Sequence, residues 1–232
     1  MKNRFLIYPL IAMGLLLFIN GCKKEKEEIK LTYGSVTDID QNVYKTITIG
    51  TQTWMAENLK VTHYRNGDPI PNITVDAEWN SLTTGAYCWH KNDVDNKDIY
   101  GALYNWYAVS DSRNIAPNGW HVPTYEEWKT LITYLGGESV AGYKMKESGT
   151  THWHSLLNNA TNQSGFTALP GCRRTHFQST LSDGLGYFGY WWSSTESNES
   201  AWALTLIVDD GYATLDKDPL KDYGDSVRCI KD

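Results

Sequence analysis

The clearest alternation in the chain lies at residues 43–50, Val-Tyr-Lys-Thr-Ile-Thr-Ile-Gly. A period of two predicts a strand there, with residues 53–59 as its hairpin partner. Arg65-Asn66-Gly67-Asp68-Pro69 is a turn by composition. Residues 85–90 predict another short strand and residues 92–98 a polar loop. Residues 100–109 place aromatic and apolar side chains at nearly helical intervals and predict a helix. The best-defined element starts at Thr124-Tyr125-Glu126-Glu127, a capping box in which Thr124 accepts from the third backbone N–H and Glu127 reaches back. Trp128, Leu131, Ile132 and Leu135 then fall on one helical face, and Gly136-Gly137 ends the run. From there to about residue 190, Gly, Ser, Thr and Asn dominate and predict loops. Short strands follow at 190–194, 201–208, 212–215 and 226–230, with Asp209-Asp210-Gly211 as a hairpin turn. Early strands, two helices, long loops and a late β-meander predict the α+β class in one domain.

The N-terminus follows a different pattern. Lys2 and Arg4 precede an apolar run over residues 6–19, broken only by Pro9 and Gly14, and Asn20-Gly21-Cys22 closes it. A positive start, a short apolar middle and a small-residue boundary predict a secretory signal over residues 1–21. The run is too short to span a bilayer, which takes about 20 apolar residues. Ile19-Asn20-Gly21-Cys22 resembles a bacterial lipobox, whose Cys is acylated. Asn20 departs from it, standing where a small residue is commoner. Two lipid chains on Cys22 suffice for stable anchoring, at roughly 0.8 kcal/mol per buried CH₂. Lys23-Lys24-Glu25-Lys26-Glu27-Glu28-Ile29-Lys30 cannot bury a face, so residues 22–35 are expected to be a solvated tether and residues 36–232 the folded domain. Lys23 fits outer-membrane sorting, and the acidic run is similar to surface-export tethers. The periplasmic and the outer face of the membrane both remain open.

Charge narrows the partners. The 232-residue chain carries −6, and Lys2 and Arg4 contribute +2 to the leader, so the rest carries −8. Nothing basic suggests nucleic acid. The chain holds 10 Trp and 15 Tyr against 5 Phe, and all the Trp lie beyond residue 50. Trp and Tyr suit binding surfaces as well as cores. Besides Cys22 there are Cys88, Cys172 and Cys229. Export permits a disulfide, and Cys88 with Cys229, both in strand-like apolar contexts, is the expected pair. Three buried thiols are the alternative.

The strings that classify the chain are spread along it. Ala116-Pro117-Asn118-Gly119-Trp120-His121-Val122-Pro123-Thr124, leading into Glu127-Trp128, resembles the hallmark of the Fibrobacter succinogenes major paralogous (FISUMP) domain. Gln52-Thr53-Trp54-Met55-Ala56-Glu57-Asn58-Leu59, Tyr100-Gly101-Ala102-Leu103-Tyr104-Asn105-Trp106, Gly165-Phe166-Thr167-Ala168-Leu169-Pro170-Gly171, Trp191-Trp192-Ser193-Ser194-Thr195-Glu196 and Val227-Arg228-Cys229 match it further, in family order. Cys172 departs from the pattern. The family is abundant in exported, often lipidated, proteins of Bacteroidota, and its molecular function is largely undefined. The helix start and the terminal Arg-Cys strand are also similar to the formylglycine-generating-enzyme branch of the C-type lectin-like fold. That similarity implies two helices packed on a twisted antiparallel β-core with long loops.

The chemistry of that branch is not carried over. The closely spaced Cys pair that holds copper and the His-x-x-x-His-x-Glu iron string are both missing from the sequence. No metal or other cofactor is expected. His152-Trp153-His154 is at most a fragment of a metal site, and Asp93-x-Asp95-Asn96-x-Asp98 lacks the Gly and terminal Glu of a calcium loop. The lectin-like resemblance instead directs attention to the late β-meander, where Trp192, Glu196, Asn198, Trp202 and Tyr212 offer flat apolar faces and directional polar groups. The expected function is a non-catalytic recognition or structural module of the cell envelope, its ligand a glycan or a protein. The alternative is a metal-dependent enzyme of unknown reaction on the same fold. Cys22→Ala should release the chain from the membrane, and unchanged partition of that variant in cell fractionation would overturn the anchor.

Overall fold

The computed structural model describes residues 30–155, 159–175, 184–217 and 220–232. The signal segment, Cys22 and the charged run through Ile29 lie outside the described residues. In chain order the elements are β1 (Tyr33–Thr37), β2 (Val43–Ile49), β3 (Gln52–Met55), α1 (Asp76–Trp79), β4 (Tyr87–Trp89), α2 (Lys97–Tyr100), β5 (Ala102–Tyr104) and α3 (Trp106–Val109). They continue with β6 (Trp120–His121), α4 (Tyr125–Tyr134), α5 (Glu138–Met145), β7 (Phe188–Ser197), β8 (Ser200–Ile207), β9 (Ala213–Asp216), β10 (Asp225–Ser226) and β11 (Ile230–Lys231). The class is α+β. One sheet runs β1-β2-β3-β11-β6 and the other β4-β5-β10-β7-β8-β9. The β10–β7 pair is parallel and the remaining named pairs are antiparallel. β1 begins at Tyr33, inside the stretch expected to be tether, so the folded unit starts earlier, at Leu31.

The early hairpin follows its pattern. Tyr44, Thr46, Ile47 and Ile49 are buried while Val43, Lys45 and Thr48 are exposed, and Gly50 at φ +62° turns the chain into β3. Two expectations fail for one reason, the competition of long-range pairing with local propensity. Residues 100–109 are not one helix. Gly101 takes φ +74°, and a Cβ there would sit 2.7 Å from the Leu59 carbonyl oxygen. Residues 102–104 are drawn into β5 between β4 and β10, and Asn105 then caps the single turn of α3 by accepting from Ala108 N. Residues 226–230 are not one strand either. Asp225–Ser226 joins the six-stranded sheet and Ile230–Lys231 the five-stranded one, so Val227-Arg228-Cys229 passes from sheet to sheet.

Successive residues of a strand face opposite sides, and here both sides are filled. Trp191 packs with Trp54, Trp128, Phe166 and Leu204, while its neighbour Trp192 packs with Tyr104, Trp106 and Ala203 on the other face of β7. Nine of the ten Trp are buried, Trp202 being the exception. Several indole N–H groups find carbonyl acceptors: Trp192 donates to Tyr104 at 2.7 Å, Trp153 to Ala168 at 2.9 Å and Trp106 to Ser193 at 3.0 Å. The tryptophans are therefore core, while Tyr33, Tyr134, Tyr187 and Tyr212 are exposed. Cys88 and Cys229 are buried and form no disulfide with each other, which corrects the expected Cys88–Cys229 pair. Cys88 lies among Trp79, Ala86 and Leu103 on β4, and Cys229 belongs to a different cluster beside β11.

The hallmark string around Trp120 proves to be a clamp. His121 pairs with Ile230 and Trp120 with Lys231. The His121 ring contacts Asp232 Oδ1 at 2.7 Å and Glu127 Oε1 at 2.8 Å. The other oxygen of Glu127 accepts from Thr124 N at 2.7 Å, and the capping box of α4 is complete. Pro123 accepts from Ser194 N, and Trp128 enters the core fully buried. Burial by itself would lower the His121 pKa, but the hydrogen bonds to Asp232 and Glu127 outweigh it and raise it. A raised folded-state pKa contributes stability that is fully present below the unfolded value, about 6.5, and is lost as pH rises through the folded value. The His121 share is isolated by difference: the excess of the native urea midpoint over that of His121→Gln should be larger at pH 6 than at pH 8.5.

Candidate functional site

The five residues expected to form a ligand patch do not come together. Trp192 is fully buried, so it presents no face to a ligand. Glu196 is paired with Lys221. Asn198 supplies the φ +55° turn between β7 and β8, and Trp202 packs its ring 4.5 Å from that of Tyr125. Tyr212 is exposed but lies beyond the far end of β8, and at ~3.3 Å per residue that strand holds it roughly 20 Å from Asn198. Among the described residues no group of three or more His, Cys, Asp or Glu side chains is placed to hold a metal ion. His152 bonds Glu147 at 2.8 Å, Trp153 is buried between, and His154 packs on Tyr187. In the acidic loop, Asp93 accepts from Asp95 N and Asp98 pairs with Lys60.

A different place gathers polar groups. A cleft of about 370 Å³ opens where the two sheets meet. Its lining comes from Tyr33 of β1, Lys45 of β2, the segment Ala56-Glu57-Asn58 after β3, Lys97, Asp98 and Gly101, and Glu147, His152 and Thr167. Arg228 is the floor, in the segment that passes between the sheets.

The floor is built on one side-chain amide. Asn58 Oδ1 accepts from Trp191 Nε1 at 2.9 Å and from Arg228 Nε and Nη2 at 3.2 and 2.7 Å. Asn58 Nδ2 donates to the Tyr100 carbonyl at 2.9 Å and to Ser226 Oγ at 3.3 Å. Arg228 also donates to the carbonyls of Phe166 and Thr167 and lies over the Phe166 ring, 4.2 Å from its centroid. It is 1% exposed. Burial lowers its pKa to about 9, against the opposing pull of Glu57.

Thr167 carries the second unusual feature. It is β-branched, yet it holds φ +55°, a conformation that such residues avoid and that persists only where the surroundings enforce it. Asn162 enforces it from both sides, accepting from Thr167 N at 2.9 Å and donating to Thr167 Oγ1 at 2.9 Å. Around the rim, Glu57 accepts from Lys45 N at 2.5 Å, and Lys60 reaches Asp98 at 2.8 Å, which holds that carboxyl below its usual range. The cleft is preformed, polar and rigid at its base. Such a site can select a ligand by fixed donors and acceptors.

Sequence reasoning passed over Asn58, Thr167 and Arg228 as sites, although each stands inside a string quoted above. The available signal was Arg228 itself, a lone charge in the otherwise apolar run Val227-Arg228-Cys229-Ile230. A charge in such a run is buried only where something compensates it.

Fold and site together define a class: an α+β domain whose two sheets are joined through a buried Arg–Asn pair, with a polar cleft over the joint. The family model for the Fibrobacter succinogenes major domain matches residues 47–231, and the chain belongs to that family. No curated protein and no solved structure matches the chain. The strings that carry the family resemblance supply Asn58, the Tyr100 carbonyl, Phe166, Thr167, Trp191 and Arg228, so they converge on the cleft floor. Removing the amide leaves the buried guanidinium short of its best acceptor. Asn58→Ala should cost about 3 kcal/mol of unfolding free energy in urea titration.

Proposed function

We propose that the chain is a non-catalytic recognition module of the cell envelope, held to the membrane by lipid on Cys22, and that the cleft over Asn58 and Arg228 is its binding site. The reading places it at the outer membrane and assigns its fold to the C-type lectin-like class, in keeping with its two twisted sheets and long loops. The observation that carries the proposal is the strained Thr167 beside a buried, hydrogen-bonded Arg at the base of a preformed cleft. Strain of this kind is retained where it shapes a site.

Of the two ligand classes, a glycan suits the cleft better than a protein. The volume accommodates one or two sugar rings, and the walls alternate donors and acceptors. Tyr33 offers an aromatic face at the rim. A protein partner would call instead for a broad apolar patch with aromatic anchors. The test is a glycan array with the purified chain, run beside Tyr33→Ala and Glu57→Ala. Any glycan bound by the native chain should lose about tenfold in affinity with either variant. A blank array together with a protein captured from envelope extracts would overturn the glycan assignment.

A further inference from the structure

The buried arginines of this domain differ in one respect. Arg173 grips Asp225 with two hydrogen bonds, at 2.9 and 2.7 Å. Arg174 meets Asp76 at 2.7 Å. Arg228 is as buried as Arg174, yet its hydrogen bonds go to neutral oxygens, those of Asn58, Phe166 and Thr167. Among the described residues it forms no ion pair. A buried cation without a counter-ion is costly, and this fold gives a carboxylate both to the buried Arg174 and to the partly buried Arg173.

The rest of the cleft does not offset it, because its three lysines match its three carboxylates in number. Of the carboxylates there, Asp98 is engaged by Lys60 and Glu147 by His152. Glu57 remains as an acid facing Arg228, its Oε2 tied to a backbone N–H. On the cationic side, Lys97 lies over the Trp89 ring, and neither Lys97 nor Lys45 pairs with a carboxylate among the described residues. Four cations, Lys45, Lys60, Lys97 and Arg228, therefore line the cleft against three carboxylates, Glu57, Asp98 and Glu147, in a chain whose net charge is −6.

We infer that the cleft takes an anionic ligand, whose carboxylate adds to the distant pull of Glu57 the counter-charge for which Arg228 has no ion-pair partner. On the reading of the cleft as a glycan site, which this inference deepens, the ligand is an acidic saccharide such as a uronic acid residue. The carboxylate lies toward Arg228 between Lys45 and Lys97, and the sugar hydroxyls meet Glu57 and Asp98. Charge-assisted hydrogen bonds, here from the lysines flanking the buried guanidinium, are about twice as strong as neutral ones, so a neutral sugar should bind more weakly.

The test is calorimetric titration of the purified full chain with galacturonic acid oligomers, matched galactose oligomers, and glutamate as a carboxylate that is not a sugar. The acidic oligomer should bind at least about tenfold more tightly than the neutral one, and its affinity should fall as salt is raised. Lys45→Glu, an exposed position, should weaken the acidic oligomer about tenfold while circular dichroism and urea midpoint stay unchanged. Glutamate binding as tightly as the oligomer would support the carboxylate site and remove the saccharide. Equal binding of both oligomers, lost together in Tyr33→Ala, would overturn the anionic inference and leave the glycan reading standing. No binding of any probe would overturn both.

Discussion

The structure depends on how a guanidinium is kept inside a protein without a carboxylate beside it. Arg228 stands in the segment that carries the chain from the six-stranded sheet to the five-stranded one, so whatever holds it also holds the sheets together. Asn58 does so from the far side of the joint. Its carbonyl oxygen gathers three donors from Trp191 and Arg228, and its NH₂ group ties down Tyr100 and Ser226. An Asp at this position would answer the charge but would forfeit both donations. An amide compensates by dipole and keeps the network complete, and in a low-dielectric interior a complete network is worth far more than a partial one.

This view changes what the family strings are for. The Trp120-His121 segment is a clamp on the chain end and on the capping box of α4. The Trp pair at 191 and 192 splits between two cores, and the Tyr100-Gly101 turn exists because the Leu59 backbone passes 2.7 Å from where a Cβ would be. Most of the residues by which the family is recognised therefore maintain the scaffold. The cleft borrows its floor from that scaffold, and its rim comes from Tyr33, Lys45 and Lys97, which lie outside the quoted strings.

The legible parts of the sequence were those whose signals are local. The capping box at Thr124 and Glu127, the alternation through β2 and the hairpin at β8 and β9 each involve neighbours in the chain, and each is present. The illegible parts were decided at long range. Residues 102–104 have helical spacing but become β5 because β4 and β10 lie on either side. α5 has almost no apolar periodicity, and it forms because Gly142 lets the helix backbone touch the β8–β9 turn, donating to the Gly211 carbonyl at 2.8 Å. The expected patch failed in the same way. Trp192 reads as a surface aromatic only if one face of β7 is solvated, and both faces are covered.

Tyr33 has a geometric consequence. It is both a wall of the cleft and, through the adjoining Leu31, nearly the first residue of the folded unit. Its hydroxyl donates to the Gly165 carbonyl at 3.4 Å, two residues before the strained Thr167. Trimming the chain back past β1 would therefore take away a wall of the cleft and a support of its base together.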